Sequence, residues 1–180
     1  STMVKLGIIG CGYWGPNLVR NFNSISGAEM VYCADLDESR LSHIKNIYPK
    51  ISATKDYKEV LENKEVDAVV VATTIETHYQ IAKEALNAGK HVLVEKPITN
   101  SSKEAMELIR LAEKNKKVLM VDHTFEYSSP VRKMKEIIEN GELGNIFTID
   151  IIRVNLGLFQ EKVNVISDLA PHDFSTLMYC

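Results

Sequence analysis

The sequence predicts an α/β protein: a doubly wound parallel sheet over residues 1–123, then the start of an α+β, open-sheet domain over 124–180. Three observations predict it. An apolar run, Val4 to Ile9, meets three glycines spaced G-x-G-x-x-G at Gly10, Gly12 and Gly15. Strand-like and helix-like stretches then alternate without interruption to about Val121, the pattern of a parallel sheet with right-handed helical crossovers. After Asp122 the pattern changes to an amphipathic helix and a long β-branched run.

Each element has a local reason. Gly10 allows a tight turn out of the first strand, Gly12 lets backbone approach a pyrophosphate, and Gly15 lets the next helix pack closely on the sheet. Pro16 suits the first turn of that helix, whose apolar face carries Leu18, Val19 and Phe22. Free amides at the helix start would face an anion, with the helix dipole behind them. The second strand, Glu29 to Ala34, ends in Asp35, twenty residues beyond Gly15. An acid there is placed to accept both ribose hydroxyls of an adenosine. The plainer alternative is an ordinary βα turn with Asp35 capping the next helix, but the whole βαβ context favours a dinucleotide site.

Asp37 to Tyr48 carries Leu41, Ile44 and Ile47 at helical spacing and is stopped by Pro49. Ile51 to Ala53 is a short strand. Asp56 with Glu59 is a capping box opening a short helix. Val66 to Ala72 is a continuous apolar run, as expected for a parallel strand buried on both faces. His78 to Ala88 reads as a helix ended by Gly89, and His91 to Val94 as the next strand. Ser101 with Glu104 is a second capping box, for a helix to about Asn115, and Val118 to Val121 is one more strand. Ser129-Pro130 opens an amphipathic helix (Val131, Met134, Ile137, Ile138) closed by Gly141. A turn over Gly141 to Asn145 leads to the run Ile146 to Val154, which suits a sheet outside the first domain.

Composition bounds the function classes. The 180 residues are 45% hydrophobic and 25% charged, an ordinary globular mixture. No apolar run approaches the roughly 20 residues of a membrane span, and no secretory pattern opens the chain, so a cytoplasmic protein is expected. Ser1-Thr2 before Met3 reads as an added remnant, with Met3 as the expected native start. A net charge of −3 offers no footprint for nucleic acid or an acidic membrane. Cys11, Cys33 and Cys180 are odd in number and lack metal-ligand spacing; reduced thiols are the simplest reading, with Cys11 as small filler in the glycine turn.

Two further clusters can carry chemistry. Glu95-Lys96-Pro97 lies at the carboxyl end of a strand, where α/β folds place ligands, and Pro97 disfavours helical geometry at Lys96. The Lys96 amine can then act as proton donor or electrostatic anchor; the alternative is a solvated lysine ion-paired to Glu95. The other cluster is Asp168-Leu169-Ala170-Pro171-His172-Asp173. Asp168 and His172 share a face if the stretch is helical. Pro171 is expected only near the helix start, which makes Ser167 or Asp168 the cap and puts His172 within about the first turn. The positive helix end disfavours imidazolium there, and a neutral imidazole held by a carboxylate suits a general base. Equally, Asp168 can merely cap and His172 be a satisfied histidine. No further ligand at convincing spacing supports a metal site, so none is expected.

Together and in this order, Gly10-Cys11-Gly12-Tyr13-Trp14-Gly15, Glu95-Lys96-Pro97 and Asp168-x-x-x-His172-Asp173 resemble the Gfo/Idh/MocA oxidoreductases. The resemblance extends to Ala72-Thr73, His78 and Gly141-Glu142-Leu143-Gly144, and thus over the whole chain. It implies an N-terminal Rossmann domain and a C-terminal α/β domain whose open sheet forms a homo-oligomer interface. It also implies a pyranose, cyclitol or nucleotide-sugar substrate. Carried over by position, the catalytic residues are Lys96, His172 and Asp168. The cofactor positions are Gly10, Gly12, Tyr13, Trp14, Gly15, Asp35, Thr73, Thr74, His78, Glu95 and Lys96. Thr74 departs from the proline usual in the family, and members continue well past Cys180, so the sequence is expected to be a fragment.

The reaction so implied is oxidation of a secondary alcohol on a sugar-like ring. His172 takes the hydroxyl proton, Lys96 steadies the charge on oxygen, and hydride passes to NAD. Asp35 followed by Leu36 favours NAD over NADP, because a 2′-phosphate would meet a carboxylate, although Arg40 is near enough to soften this. An NAD-dependent glycosidase would use the same residues without net reduction. A non-catalytic NAD-binding module is the third reading if the chain ends at Cys180.

Overall fold

In the computed structural model, residues 3–152 and 165–180 are described. They divide into two units, one ending at Asp122 and the other beginning at His123.

The first unit is a six-stranded parallel sheet of β1 (Val4–Ile9), β2 (Ala28–Ala34), β3 (Ser52–Thr54), β4 (Ala68–Val71), β5 (His91–Glu95) and β6 (Leu119–Asp122). Its order is β3-β2-β1-β4-β5-β6, so the chain reverses direction across the sheet between β1 and β4. Each crossover carries a helix: α1 (Gly15–Ser24), α2 (Glu38–Ile47), α3 (Tyr57–Glu62), α4 (Ile75–Asn87) and α5 (Ser102–Asn115). This is the Rossmann arrangement that the alternation predicts.

Alternation along the strands splits the apolar residues between two cores. Leu6, Ile8, Met30 and Val70 pack with Val19 of α1 and Leu41 and Ile44 of α2. Ile9, Val69 and Val71 pack with Val60 of α3, Leu86 of α4 and Leu108 of α5. Side chains buried to this degree each stabilise the fold by about 1.5–3 kcal/mol. Gly7 faces the second core, where a Cβ would collide with the Val60 side chain. That close approach explains a glycine inside an otherwise aliphatic strand.

Several local expectations need correction. α4 begins at Ile75 rather than His78; Thr74 is its N-cap but makes no side-chain capping bond, so the first turn carries no sequence signature. The Ser101–Glu104 capping box does not form, because Ser101 makes no side-chain cap bond. The Ser101 amide instead donates to Thr99 Oγ1. At α3 only half of the box forms: Asp56 caps Lys58 N at 2.9 Å. Glu59 instead accepts from the Tyr32 hydroxyl.

The second unit contains a 3-10 turn (Thr124–Tyr127), α6 (Ser129–Glu139) and α7 (Val165–Tyr179). The strand expected over Ile146 to Val154 is not present among the described residues. Residues 146–152 pair with no neighbour there and are exposed, while 153 and 154 lie outside the described residues. β-branched composition makes a strand only where a partner completes the ladder. α7 begins before the expected cap, so Pro171 lies inside the helix and His172 is its eighth residue. The cost of an interior proline, about 3 kcal/mol, is what made the later start the expectation. Among the described residues, no helix is long and apolar enough to cross a membrane.

Candidate functional site

The glycine turn and the ends of β1, β2 and β4 enclose a cleft of about 520 Å³ at the β1/β4 reversal, where open α/β sheets take their ligands. Gly10 has φ +94°, and a Cβ there would stand 2.6 Å from the Ala72 carbonyl oxygen. Only glycine serves in that turn. The Gly10 amide donates to Ala34 O at 2.8 Å and the Ala72 amide to Ile9 O at 2.8 Å, tying the turn to both neighbouring strands. Pro16 opens α1, and Trp14 at its N-cap offers no side-chain bond, so side-chain capping does not compete for the first-turn amides.

Asp35 is the keystone of this cleft. Its Oδ2 accepts from the Cys11 amide at 2.6 Å, and its Oδ1 accepts from the Asp37 amide at 2.8 Å. The helix cap of α2 is Asp37, not Asp35. An ionised carboxylate has about four acceptor positions, so Asp35 can hold the loop and still accept ribose hydroxyls. Arg40 Nη1 lies 3.6 Å from Asp35 Oδ2. Gly12, Thr73 and Thr74 line the cleft, joined by Thr77, which local sequence does not single out. Thr77 Oγ1 lies 2.7 Å from Thr73 Oγ1 and 2.8 Å from the Thr74 carbonyl. Tyr13 and Trp14 are exposed and stack edge-on with centroids 5.2 Å apart. Gly15 lies close to Cys11: a Cβ on it would stand 3.4 Å from the Cys11 side chain, which leaves little room for a larger residue. Cys11 is buried, and its thiol is pushed up by a hydrogen bond with Cys33 and by burial, which suits an inert filler.

His78, expected as a cofactor position, lies in α4. It is only 2% exposed. Its Nδ1 lies 2.9 Å from Pro97 O and its Nε2 3.0 Å from Thr73 O. Each ring nitrogen thus faces a backbone carbonyl. His78 links the loop after β4 to the one after β5.

Glu95 ends β5 and Lys96 follows it, with the Lys96–Pro97 peptide bond cis. The main neighbour of Glu95 is not Lys96 but Asp122, which no local pattern points to. Burial and then Asp122 push the Glu95 carboxyl up to about 7, while Lys96 acts weakly in the opposite direction.

In the second unit Asp168 lies in the first turn of α7 and His172 one turn further on, about 6 Å along the axis. This places both on one face, as their spacing predicts. His172 lies beyond the first turn expected for it, out of reach of the helix-end dipole. Its ring stacks on Phe125, with centroids 4.5 Å apart and planes tilted by 58°. Ser175 Oγ donates to the His172 carbonyl at 3.1 Å. Among the described residues, no three His, Cys, Asp or Glu side chains are arranged to hold a metal ion. Lys96 thus stands with the first unit, and Asp168 and His172 with the second.

The glycine turn, the uncapped helix start, the acid at the end of β2 and the cleft they surround fit a dinucleotide. Comparison with known proteins agrees. Residues 4–123 match the Gfo/Idh/MocA family, described as an oxidoreductase family with an NAD-binding Rossmann fold. An uncharacterised oxidoreductase, YrbE of Bacillus subtilis, is 29% identical, covering 98% of this chain and 53% of its own. Myo-inositol 2-dehydrogenase of Thermotoga maritima is 28% identical, over 98% of this chain and 54% of its own. The crystal structure of myo-inositol 2-dehydrogenase from Lactobacillus plantarum is 26% identical with a TM-score of 0.76, over 81% of this chain and 43% of that one. The chain spans about half the length of the curated relatives it matches.

Proposed function

The chain belongs to the Gfo/Idh/MocA family of oxidoreductases, and on that premise we propose that it is part of an NAD-dependent dehydrogenase. The proposed substrate is a secondary alcohol on a sugar, cyclitol or nucleotide sugar. The observation that carries the cofactor half of this reading is the Asp35 carboxylate, fastened to the glycine turn and lining the cleft. The relatives named as inositol dehydrogenases support the substrate class.

When bound, NAD supplies the hydride acceptor. The chain's own residues do the rest. First-turn amides of α1 hold the pyrophosphate, and Asp35 holds the adenosine ribose. Lys96 steadies negative charge growing on the substrate oxygen, His172 accepts the hydroxyl proton, and Asp168 orients the substrate. Asp35 and Leu36 favour NAD, since a 2′-phosphate would meet a carboxylate; Arg40 beside Asp35 narrows that preference. The protein is expected to be cytoplasmic and to oligomerise through the second domain.

Two measurements test this. Titration with both cofactors should give tighter binding of NAD than of NADP, and the reverse order discards the NAD assignment. Screening NADH formation over cyclitols, aldoses and nucleotide sugars should find one class oxidised with net reduction of NAD. Release of an aglycone without net reduction would instead identify a glycosidase.

A further inference from the structure

Glu95 closes β5 and Asp122 closes β6, and the two residues are partners in the parallel ladder. Ladder partners project their side chains from the same face of the sheet, so the two carboxyl groups are neighbours, and two like charges so placed favour a proton on one of them. Among the described residues, the charged groups acting on Glu95 are Asp122 from the neighbouring strand and Lys96 from the end of its own strand. From α4, His78 is engaged with the carbonyl of Pro97, two residues on. Burial and the facing Asp122 push the Glu95 carboxyl up to about 7.

β5 and β6 belong to the half of the sheet beyond the β1/β4 reversal. With the adenosine held at the end of β2, this is the half over which the nicotinamide end of a dinucleotide lies. We infer that Glu95 and Asp122 form a proton-sharing acid pair whose charge makes the crevice favour oxidised over reduced nicotinamide as pH rises. The inference rests on the reading of this crevice as an NAD site. With one proton the pair carries one negative charge; without it, two. The second charge attracts the cationic ring of NAD⁺ and leaves the neutral ring of NADH almost unaffected. Adenosine, riboses and pyrophosphate are common to both forms, so the ratio of their affinities isolates the ring.

The test is equilibrium binding at pH 6 and pH 8, with NADH followed by its own fluorescence and NAD⁺ by competition. The preference for NAD⁺ over NADH should rise roughly fivefold from pH 6 to pH 8, the scale of one charge acting across a partly solvated site. Glu95→Gln should flatten this rise, and Asp122→Asn should move it to lower pH. Circular dichroism and a cooperative thermal melt of each variant show that it is folded. Binding with a flat ratio in the unsubstituted protein, or an unchanged rise in Glu95→Gln, overturns the acid pair alone. Failure of either cofactor to bind at both pH values overturns the NAD reading and the acid pair with it.

Discussion

The two units solve the problem of burying apolar surface differently. Among the described residues, the buried hydrophobic ones, from Leu6 to Ala112, all lie in the first unit. In the second, α6 buries none of its residues, and Phe147 and Met178 are 91% and 89% exposed. A sheet covered by helices on both faces completes a core within about 120 residues of sequence, as small α/β domains do. An amphipathic helix such as α6 gains stability only from what covers its apolar face. The first unit therefore carries the stability and the cofactor cleft, whereas the second contributes the side chains proposed to handle the substrate proton.

The largest expected effect separates the two by chemistry. Lys96→Ala and His172→Ala should each lower turnover by about 10²–10⁴-fold. NAD affinity, by contrast, should be unchanged in His172→Ala, because the role proposed for His172 is on the substrate hydroxyl. Steady-state kinetics beside a binding titration checks both; unchanged turnover removes the residue from the mechanism.

Stability separates them next. Ile8→Ala should cost about 2–5 kcal/mol in denaturant unfolding, since Ile8 is fully buried. Met178→Ala should change stability by less than about 0.5 kcal/mol. Equal losses would erase the contrast between the units.

A smaller effect follows from pH. The Glu95 carboxyl is raised from about 4.5 to about 7 in the folded protein, so the folded state binds that proton more tightly than the unfolded one. Its contribution to stability is full below about pH 4.5 and is lost as pH rises through about 7. Unfolding midpoints measured from pH 5 to 8 should fall less steeply in Glu95→Gln than in the unsubstituted protein. The smallest effect is expected at the exposed Lys55–Glu38 pair, 2.7 Å apart. Lys55→Ala should leave the midpoint where it is, because solvent screens such pairs.

The elements that sequence made legible are those whose cause is local. The G-x-G-x-x-G turn, Asp35 at the end of β2, the aliphatic run of β4 and the Gly89 stop of α4 are each written within a few residues. Features that local patterns miss depend on partners far along the chain. The run from Ile146 is β-branched enough for a strand, but a ladder needs a neighbour. Ser101 and Glu104 have the right spacing for a capping box, but Thr99 competes for the same backbone. His78 matches a family position, yet only packing shows it buried between two carbonyls.

By itself, the sequence determined the alternation of strands and helices, the cofactor cradle and the family. Periodicity, turn chemistry and motif order are properties of neighbouring residues. Tertiary structure alone decided that Glu95 meets Asp122, 27 positions away. It also decided that His78 is buried between the carbonyls of Thr73 and Pro97, and that Pro171 lies inside a helix. Register between strands and burial of a side chain depend on how distant segments pack, and no local pattern records them.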